Sequence, residues 1–222
     1  MMKPLCGNKK PVLVIKTKDF LNSGKTFSLM RCPSTGLVFT SPIPKNINSY
    51  YDKKRYDSYK HSSSFFGHLY GFVQKINGKH KLNLIKKGAS LLDYGAGSGF
   101  FVNLALKMGV NAIGYEPINK LKNKYIFNKL KDIGNKKFDY ITMWHVLEHT
   151  ADPLKTLVGL RKNLKNNGRV IIALPNTDSY DNTYYGKYWA GYDVPRHLYH
   201  FTEKSFSGLC ERTGFKIQKK IP

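Results

Sequence analysis

An acid and a run of glycines mark the point where an apolar stretch gives way to a helical pattern. Asp93 follows the apolar pair Leu91–Leu92, and Gly95, Gly97 and Gly99 come next at alternate positions. Glycine has no Cβ atom, so the backbone can turn sharply there and approach a ligand closely. The start of a helix also directs free N–H groups toward such a ligand. The stretch therefore predicts a loop that binds a small molecule through its backbone.

A second acid, Glu116, lies about 20 residues beyond the first glycine, directly after the apolar stretch Asn111–Tyr115. A carboxylate at the tip of a strand can accept two hydrogen bonds from the hydroxyls of a ribose. The loop is not a dinucleotide-binding fingerprint, since Phe100 stands where that pattern needs its third glycine. A nucleoside-type ligand is indicated, and a solvated loop acid is the alternative for Glu116.

The D-x-G-x-G-x-G pattern from Asp93 to Gly99 resembles the first motif of class I S-adenosylmethionine-dependent methyltransferases. The continuous run Phe138–His149, with its Val-Leu-Glu-His end, resembles the fourth-strand motif of the same family. The resemblance covers about residues 64–220 and implies a Rossmann-like α/β sandwich with S-adenosylmethionine as cofactor. The implied cofactor-binding residues are Asp93, Gly95, Ala96, Gly97, Gly99, Glu116 and Trp144.

Methyl transfer to a hydroxyl or a carbon acid also needs removal of a proton, and histidine is the side chain best suited to this near neutral pH. Four candidates occur in two pairs, His145 with His149 and His197 with His200. His145 lies at the strand tip, whereas His149 lies beyond it and is expected to orient a loop. We predict His197 and His145 as the catalytic residues; local hydrogen bonding is the alternative for His197 and His200.

The stretch around His197 resembles a site in deoxysugar C-methyltransferases that carries Tyr-x-Glu-His. Here Val194 and Arg196 replace the tyrosine and the glutamate, so only the histidine carries over. Arg196 would suit an anionic substrate such as a carboxylate or phosphate. The alternative is that Arg196 pairs with a local acid such as Asp193.

The apolar patterns predict the elements that would position these residues. The expected helices are Ser64–Ile85, one that begins at Phe101, a clipped one at Asn119–Lys124, one from Pro153 to Leu164 and one after Thr202. The expected sheet strands are Leu91–Leu92, Asn111–Tyr115, Tyr125–Phe127, Phe138–Trp144, Arg169–Leu174 and Phe215–Ile221. The family sheet has seven strands, so we expect the last strand to be lacking. The two alternatives are that the chain is truncated relative to its relatives and that a partner chain covers the C-terminal sheet edge.

The segment Tyr180–Phe201 holds eight aromatic residues and is too long for a plain connector. Aromatic rings with polar tips suit a ring-shaped, hydroxyl-bearing substrate. The alternative is a lid that packs onto its own domain. We therefore expect a small-molecule acceptor, such as a sugar or an anionic metabolite.

The sequence pattern of residues 1–45 predicts a small β-rich N-terminal segment, or leader. Its expected strands are Val12–Ile15, Thr26–Arg31 and Leu37–Thr40. The leader resembles the zinc-ribbon-like leader of some methyltransferases of small molecules and cell-surface sugars. Only Cys6 and Cys32 remain of two C-x-x-C pairs, and two thiolates cannot close a tetrahedral zinc site. We expect no metal ion, a connector at 46–63 and a methyltransferase domain at 64–222.

The 222-residue chain is strongly basic, with a net charge of +23, yet only 6 of its 37 basic residues are arginine. The lysines are spread along the chain, so nucleic acid is not the expected partner. No apolar run is long enough to span a membrane, and a cytoplasmic location is expected. The alternatives to a small-molecule methyltransferase are a non-catalytic or truncated cofactor-binding subunit and an RNA methyltransferase or RNA-binding protein.

Overall fold

The computed structural model describes residues 9–51, 65–118 and 123–221, with side chains of the second range described from residue 71. The chain forms two compact units that alternate along the sequence. The first unit contains Met1–Tyr56, His145–Val158 and Leu174–Pro222, and the second contains Asp57–Trp144 and Gly159–Ala173. The boundaries of these units differ from the domain boundaries that the sequence predicts at residues 45 and 63. The predicted division into domains stays a prediction.

The second unit is built on a parallel sheet of five strands in the order β6-β5-β4-β7-β8. The strands are β4 (Ser90–Tyr94), β5 (Asn111–Tyr115), β6 (Ile126–Phe127), β7 (Phe138–Trp144) and β8 (Leu164–Ala173). Its helices are α1 (Phe65–Leu82), α2 (Phe100–Lys107) and α3 (Leu130–Ile133). Helix α4 (Pro153–Arg161) leads the chain from the first unit back into the second.

The core of the second unit lies between the sheet and α2. Leu91 and Leu92 of β4 are fully buried, as are Val102 and Ala105 of α2. Val102 and Ala105 are three residues apart and share the helix face that packs with Leu91. Leu92, the next residue of β4, points to the opposite face of the sheet, so β4 is buried on both faces. Because parallel strands end at the same edge of a sheet, β4 and β5 bring their following loops together.

The sequence predicted most of this sheet but misplaced part of it. The fifth strand begins at Leu164 rather than Arg169, because Phe138 pairs with Leu164 and Tyr140 with Arg169, and the residues between form a bulge. The prediction of a sixth strand at Phe215–Ile221 was wrong, since that segment pairs with no strand among the described residues. The clipped helix predicted at Asn119–Lys124 lies largely outside the described residues.

The first unit is built on an antiparallel sheet in the order β1-β2-β3-β9. Its strands are β1 (Val12–Lys18), β2 (Thr26–Arg31), β3 (Val38–Ser41) and β9 (Tyr199–His200). Its helices are α5 (Tyr180–Tyr185) and α6 (Glu203–Arg212), and 3₁₀ turns occur at Ile47–Tyr50, Leu147–His149, Gly186–Tyr188 and Ala190–Tyr192. The predicted α/β fold with an added N-terminal sheet is confirmed. In the described ranges no helix has the length and apolar character needed to cross a bilayer.

A buried arginine ties distant segments of the first unit together. Arg196 is 1% exposed, and its guanidinium donates to Asp19 at 2.9 Å, to Asp193 at 2.6 and 2.9 Å and to the Tyr50 carbonyl oxygen at 3.1 Å. Burial alone would raise the pKa of Asp19, but hydrogen bonds from Ser23 and Arg196 outweigh it and hold that pKa below its usual value. Arg196 is therefore paired internally, and the expectation that it reads an anionic substrate was wrong.

Loss of this guanidinium should strongly destabilise the chain, because Asp19 would be left buried without its counter-charge. We expect Arg196→Ala to lower the free energy of unfolding by about 3–5 kcal/mol. The exposed Arg31→Ala serves as the control and should change it by about 0.5 kcal/mol or less. Urea unfolding followed by circular dichroism measures both, and equal losses in the two variants would contradict the structural role of Arg196.

Candidate functional site

The glycine loop of the second unit adopts the backbone that its sequence predicts. Gly95, Gly97 and Gly99 have positive φ angles of 84°, 53° and 78°. Side chains other than glycine are strained in this region, so the loop depends on these three residues. The N–H groups of Gly95 and Ala96 both donate to the Tyr115 carbonyl oxygen, at 2.8 and 3.0 Å. The loop therefore folds across the end of β5, and α2 begins directly after Gly99.

The carboxylate of Glu116 lies against this loop. Its Oε2 atom accepts a hydrogen bond from the Gly97 N–H at 3.1 Å, and its Oε1 atom accepts one from the Ile118 N–H at 3.1 Å. A carboxylate has about four lone-pair positions, so two remain for further donors. The structure thus brings together the two features that the sequence singled out, the glycine loop and the acid at the tip of the neighbouring strand.

Asp93 lies beneath the loop and is almost fully buried, with 2% of its surface exposed. It accepts a hydrogen bond from the Thr142 hydroxyl at 2.7 Å, which joins β4 to β7. Burial raises the pKa of Asp93 to about 7, although the Thr142 hydrogen bond and the charge of Lys81 oppose the rise. Asp93 therefore contributes a buried polar link below the loop.

Trp144 is the last residue of β7, and its side chain contacts one residue of α1 and one of α2. Its ring meets that of Phe101 edge-on, with centroids 5.5 Å apart, and Lys81 Nζ lies 4.3 Å from the ring centroid. The indole N–H is buried and finds no acceptor within the described parts of the chain. An unpaired buried donor costs about 1–3 kcal/mol, which an acceptor on a ligand would offset.

The predicted catalytic histidines belong to the first unit. His145 directly follows Trp144, has a positive φ of 55° and a side chain that is 58% exposed, and places Nδ1 3.5 Å from Glu148 Oε1. His197 is largely buried; its Nδ1 lies 2.9 Å from the Gly191 carbonyl oxygen and its Nε2 lies 3.9 Å from Asp193 Oδ2. Both histidines thus lie near acids that the sequence analysis did not connect with them.

His149 and His200 have partners within the first unit that lie far from them in sequence. His149 Nδ1 lies 2.9 Å from the Arg196 carbonyl oxygen and 3.1 Å from the Tyr51 hydroxyl, and burial together with nearby His197 lowers its pKa. His200 pairs with the Thr40 hydroxyl at 2.9 Å, and burial lowers its pKa to about 3. His200 therefore links β3 to β9 as a neutral ring.

Sequence reasoning missed Glu148. This residue sits in the 3₁₀ turn Leu147–His149 and is 1% exposed, with both carboxylate oxygens buried and without a hydrogen-bond partner among the described residues. One of those oxygens lies within 4.8 Å of a ring nitrogen of His149 and of His197. The only signal in the sequence was an acid directly before a histidine in Val-Leu-Glu-His, which carries no information about burial.

A family model described as a methyltransferase domain matches residues 70–220. No curated protein matches the chain in sequence.

Among solved structures, a SAM-dependent methyltransferase from Archaeoglobus fulgidus is 23% identical, with a TM-score of 0.52 over 65% of this chain and 68% of that chain. A methyltransferase structure from Bacillus halodurans is 16% identical, with a TM-score of 0.48 over 65% and 70% of the two chains. A SAM-dependent methyltransferase from Thermotoga maritima is 18% identical, with a TM-score of 0.43 over 64% and 72%. The fold comparison rests on the Archaeoglobus structure.

The buried carboxyl of Asp93 should make stability depend on pH in a defined direction. Its pKa is raised from 3.8 to about 7 on folding, so between these values the folded chain holds a proton that the unfolded chain has released. The free energy of unfolding should therefore fall as pH rises through this window, by up to about 1.4 kcal/mol per pH unit.

Asp93→Asn keeps an oxygen that accepts from Thr142 but cannot titrate, so this part of the pH dependence should disappear. Urea unfolding from about pH 5 to about pH 8 compares the wild type, Asp93→Asn and the exposed control Asp132→Asn. We expect only Asp93→Asn to show the shallower decline. Parallel pH curves for all three chains would contradict the burial argument.

Proposed function

The chain belongs to the methyltransferase domain family, and from this membership we propose that it methylates a small molecule or a sugar precursor of the cell surface. S-adenosylmethionine is the cofactor of the family, and it supplies an activated methyl group on a sulfonium. The observation that carries the proposal is the Glu116 carboxylate held against the glycine loop at the carboxyl ends of β4 and β5. In open α/β sheets, ligands bind at this end of the strands.

The chemistry of the residues around the loop supports this cofactor site. Gly95, Gly97 and Gly99 adopt positive φ angles that other residues rarely adopt, so this turn presents backbone without Cβ atoms. Glu116 retains lone pairs that can accept the two hydroxyl hydrogens of a ribose. The buried indole N–H of Trp144 supplies a donor that has no partner among the described residues. These groups would bind and orient the cofactor.

Removal of a proton from a hydroxyl acceptor is proposed for His197 or His145. A carbonyl oxygen only accepts hydrogen bonds, so the 2.9 Å contact with Gly191 places the hydrogen of a neutral His197 ring on Nδ1. The lone pair of the ring is then on Nε2, where it could take up a proton. His145 is the more exposed of the two rings and follows the strand tip directly.

The aromatic segment supports an acceptor with a ring. Tyr180, Tyr184, Tyr185 and Tyr188 are exposed, with Tyr180 reaching 79%. The rings of Tyr180 and Tyr184 stack with centroids 6.2 Å apart. Tyr192, Tyr199 and Phe201, by contrast, are buried and pack within the first unit. The exposed tyrosines offer flat apolar faces with polar tips, which suit sugar rings.

A non-catalytic cofactor-binding subunit is the second candidate, and the end of the sheet favours it. The ten-residue strand β8 is the last in the sheet order, and only β7 pairs with it among the described strands. An open strand edge can be covered by a partner chain. Such a subunit would bind the cofactor without turnover, whereas the enzyme would release S-adenosylhomocysteine when given its acceptor.

Calorimetric titration with S-adenosylhomocysteine tests the cofactor site. We expect micromolar binding to the wild type and binding at least tenfold weaker to Glu116→Ala, which corresponds to a loss of about 1.4 kcal/mol. Asp132→Ala removes an exposed acid from α3 and should bind like the wild type. Circular dichroism confirms that each variant is folded.

Two results would contradict the proposed site. One is the absence of binding to a folded wild-type chain, and the other is unchanged binding in Glu116→Ala. If binding is confirmed, incubation with isotopically labelled S-adenosylmethionine and a set of sugar nucleotides, followed by mass spectrometry, separates the enzyme from the cofactor-binding subunit.

A further inference from the structure

Three side chains that can bind a cation converge in the first unit. Glu148 and His149 lie in one 3₁₀ turn, and His197 comes from the segment that precedes β9. One donor atom from each of the three side chains lies within 4.8 Å of the others. The two imidazole rings meet edge-on with their centroids 4.6 Å apart. Small side-chain adjustments would bring these atoms around one ion, whose bonds to nitrogen and oxygen are about 2.0–2.2 Å long.

The surroundings of the Glu148 carboxylate favour the binding of a cation. It is 1% exposed, and in the described ranges neither oxygen accepts a hydrogen bond. An ionised carboxylate without partners is costly to bury. Within the described parts of the chain, His145 Nδ1 lies 3.5 Å from Glu148 Oε1, on a ring whose side chain is 58% exposed. A divalent ion bound to one of these oxygens would supply a positive charge beside the carboxylate.

The hydrogen bonds of the two histidines determine which ring nitrogen carries the lone pair that an ion needs. His149 Nδ1 faces the Arg196 carbonyl oxygen at 2.9 Å, and His197 Nδ1 faces the Gly191 carbonyl oxygen at 2.9 Å. Because a carbonyl only accepts, each neutral ring carries its hydrogen on Nδ1 and its lone pair on Nε2. Histidines that bind metals typically donate their other ring N–H to a backbone carbonyl or a carboxylate in this way.

The backbone around the three residues is fixed by its own contacts. The Glu148 carbonyl oxygen accepts from the Leu198 N–H at 2.8 Å, which joins the turn to the residue after His197. The positive charge of Arg196 is balanced by the carboxylates of Asp19 and Asp193. Asp19 and Asp193 are thus already paired with a cationic side chain, whereas neither oxygen of Glu148 accepts a hydrogen bond from the described residues.

We propose that Glu148, His149 and His197 bind one divalent first-row transition-metal ion, with Zn²⁺ as the representative. Two imidazole nitrogens and one carboxylate oxygen suit Zn²⁺ and its neighbours in the series. Three protein ligands leave at least one coordination position for water. A bound ion would use the lone pair of His197, so proton removal would fall to His145; this last point alone rests on the proposed function.

Titration of Zn²⁺ into the full chain, stripped of metal with EDTA, tests the site without any cofactor. We expect one equivalent to bind to the wild type, and Glu148→Gln and His197→Gln each to bind at least tenfold more weakly. His80→Gln, which removes an exposed histidine from α1, should bind like the wild type. Co²⁺ as a second probe reports the ligands through its visible spectrum, and strong thiolate bands would place the ion on cysteine instead.

Thermal stability, measured with and without the ion, gives a second readout. In EDTA the wild type buries an unpaired carboxylate, so Glu148→Gln should melt at the same or a higher temperature. With excess Zn²⁺ the order should reverse, because the ion stabilises only the chain that binds it. If Glu148→Gln fails to fold, the affinity of His197→Gln decides.

The proposal is overturned if the wild type shows no saturable binding, if both site variants bind like the wild type or if the ion ligates cysteine. Binding of S-adenosylhomocysteine, measured on the same preparations, separates failure of the metal site from failure of the proposed function.

Discussion

The ion pairs of Arg196 are the interaction on which the first unit depends. A buried guanidinium must have its charge balanced and its donors satisfied, and acceptors from three separate segments do this. One of them, Asp19, also accepts from the N–H groups of Leu21, Asn22 and Ser23 and so shapes the turn between β1 and β2. The Arg196 carbonyl oxygen in turn orients His149. Arg196 thus pairs with acids of the first unit through its side chain and contacts His149 through its backbone.

The second unit depends on a different constraint, which is the backbone freedom of three glycines at the end of a buried strand. The loop can fold across β5 only because Gly95, Gly97 and Gly99 adopt positive φ angles. Parallel pairing of β4 with β5 then fixes Glu116 beside the loop. The apolar packing of α2 on the sheet holds this arrangement in place, so contacts within the chain determine the backbone of the loop.

Local patterns made the second unit largely predictable, because a strand, a glycine loop and a helix that follow each other in sequence also contact each other. The loop, Glu116 and β7 were found in this way. The beginning of β8 was missed because the bulge residues Lys165–Gly168 resemble a turn. The first unit depends on pairs far apart in sequence, such as Val38 with His200 and Asp19 with Arg196, which no local pattern contains. The burial of Glu148 was invisible for the same reason.

A crystal structure of the chain grown with S-adenosylhomocysteine tests the cofactor site most directly. We expect the ligand to lie along the loop from Gly95 to Gly99, with its ribose hydroxyl oxygens within hydrogen-bonding distance of the Glu116 carboxylate. A ligand bound elsewhere, or a ribose without contact to Glu116, would contradict the assignment of this loop as the cofactor site.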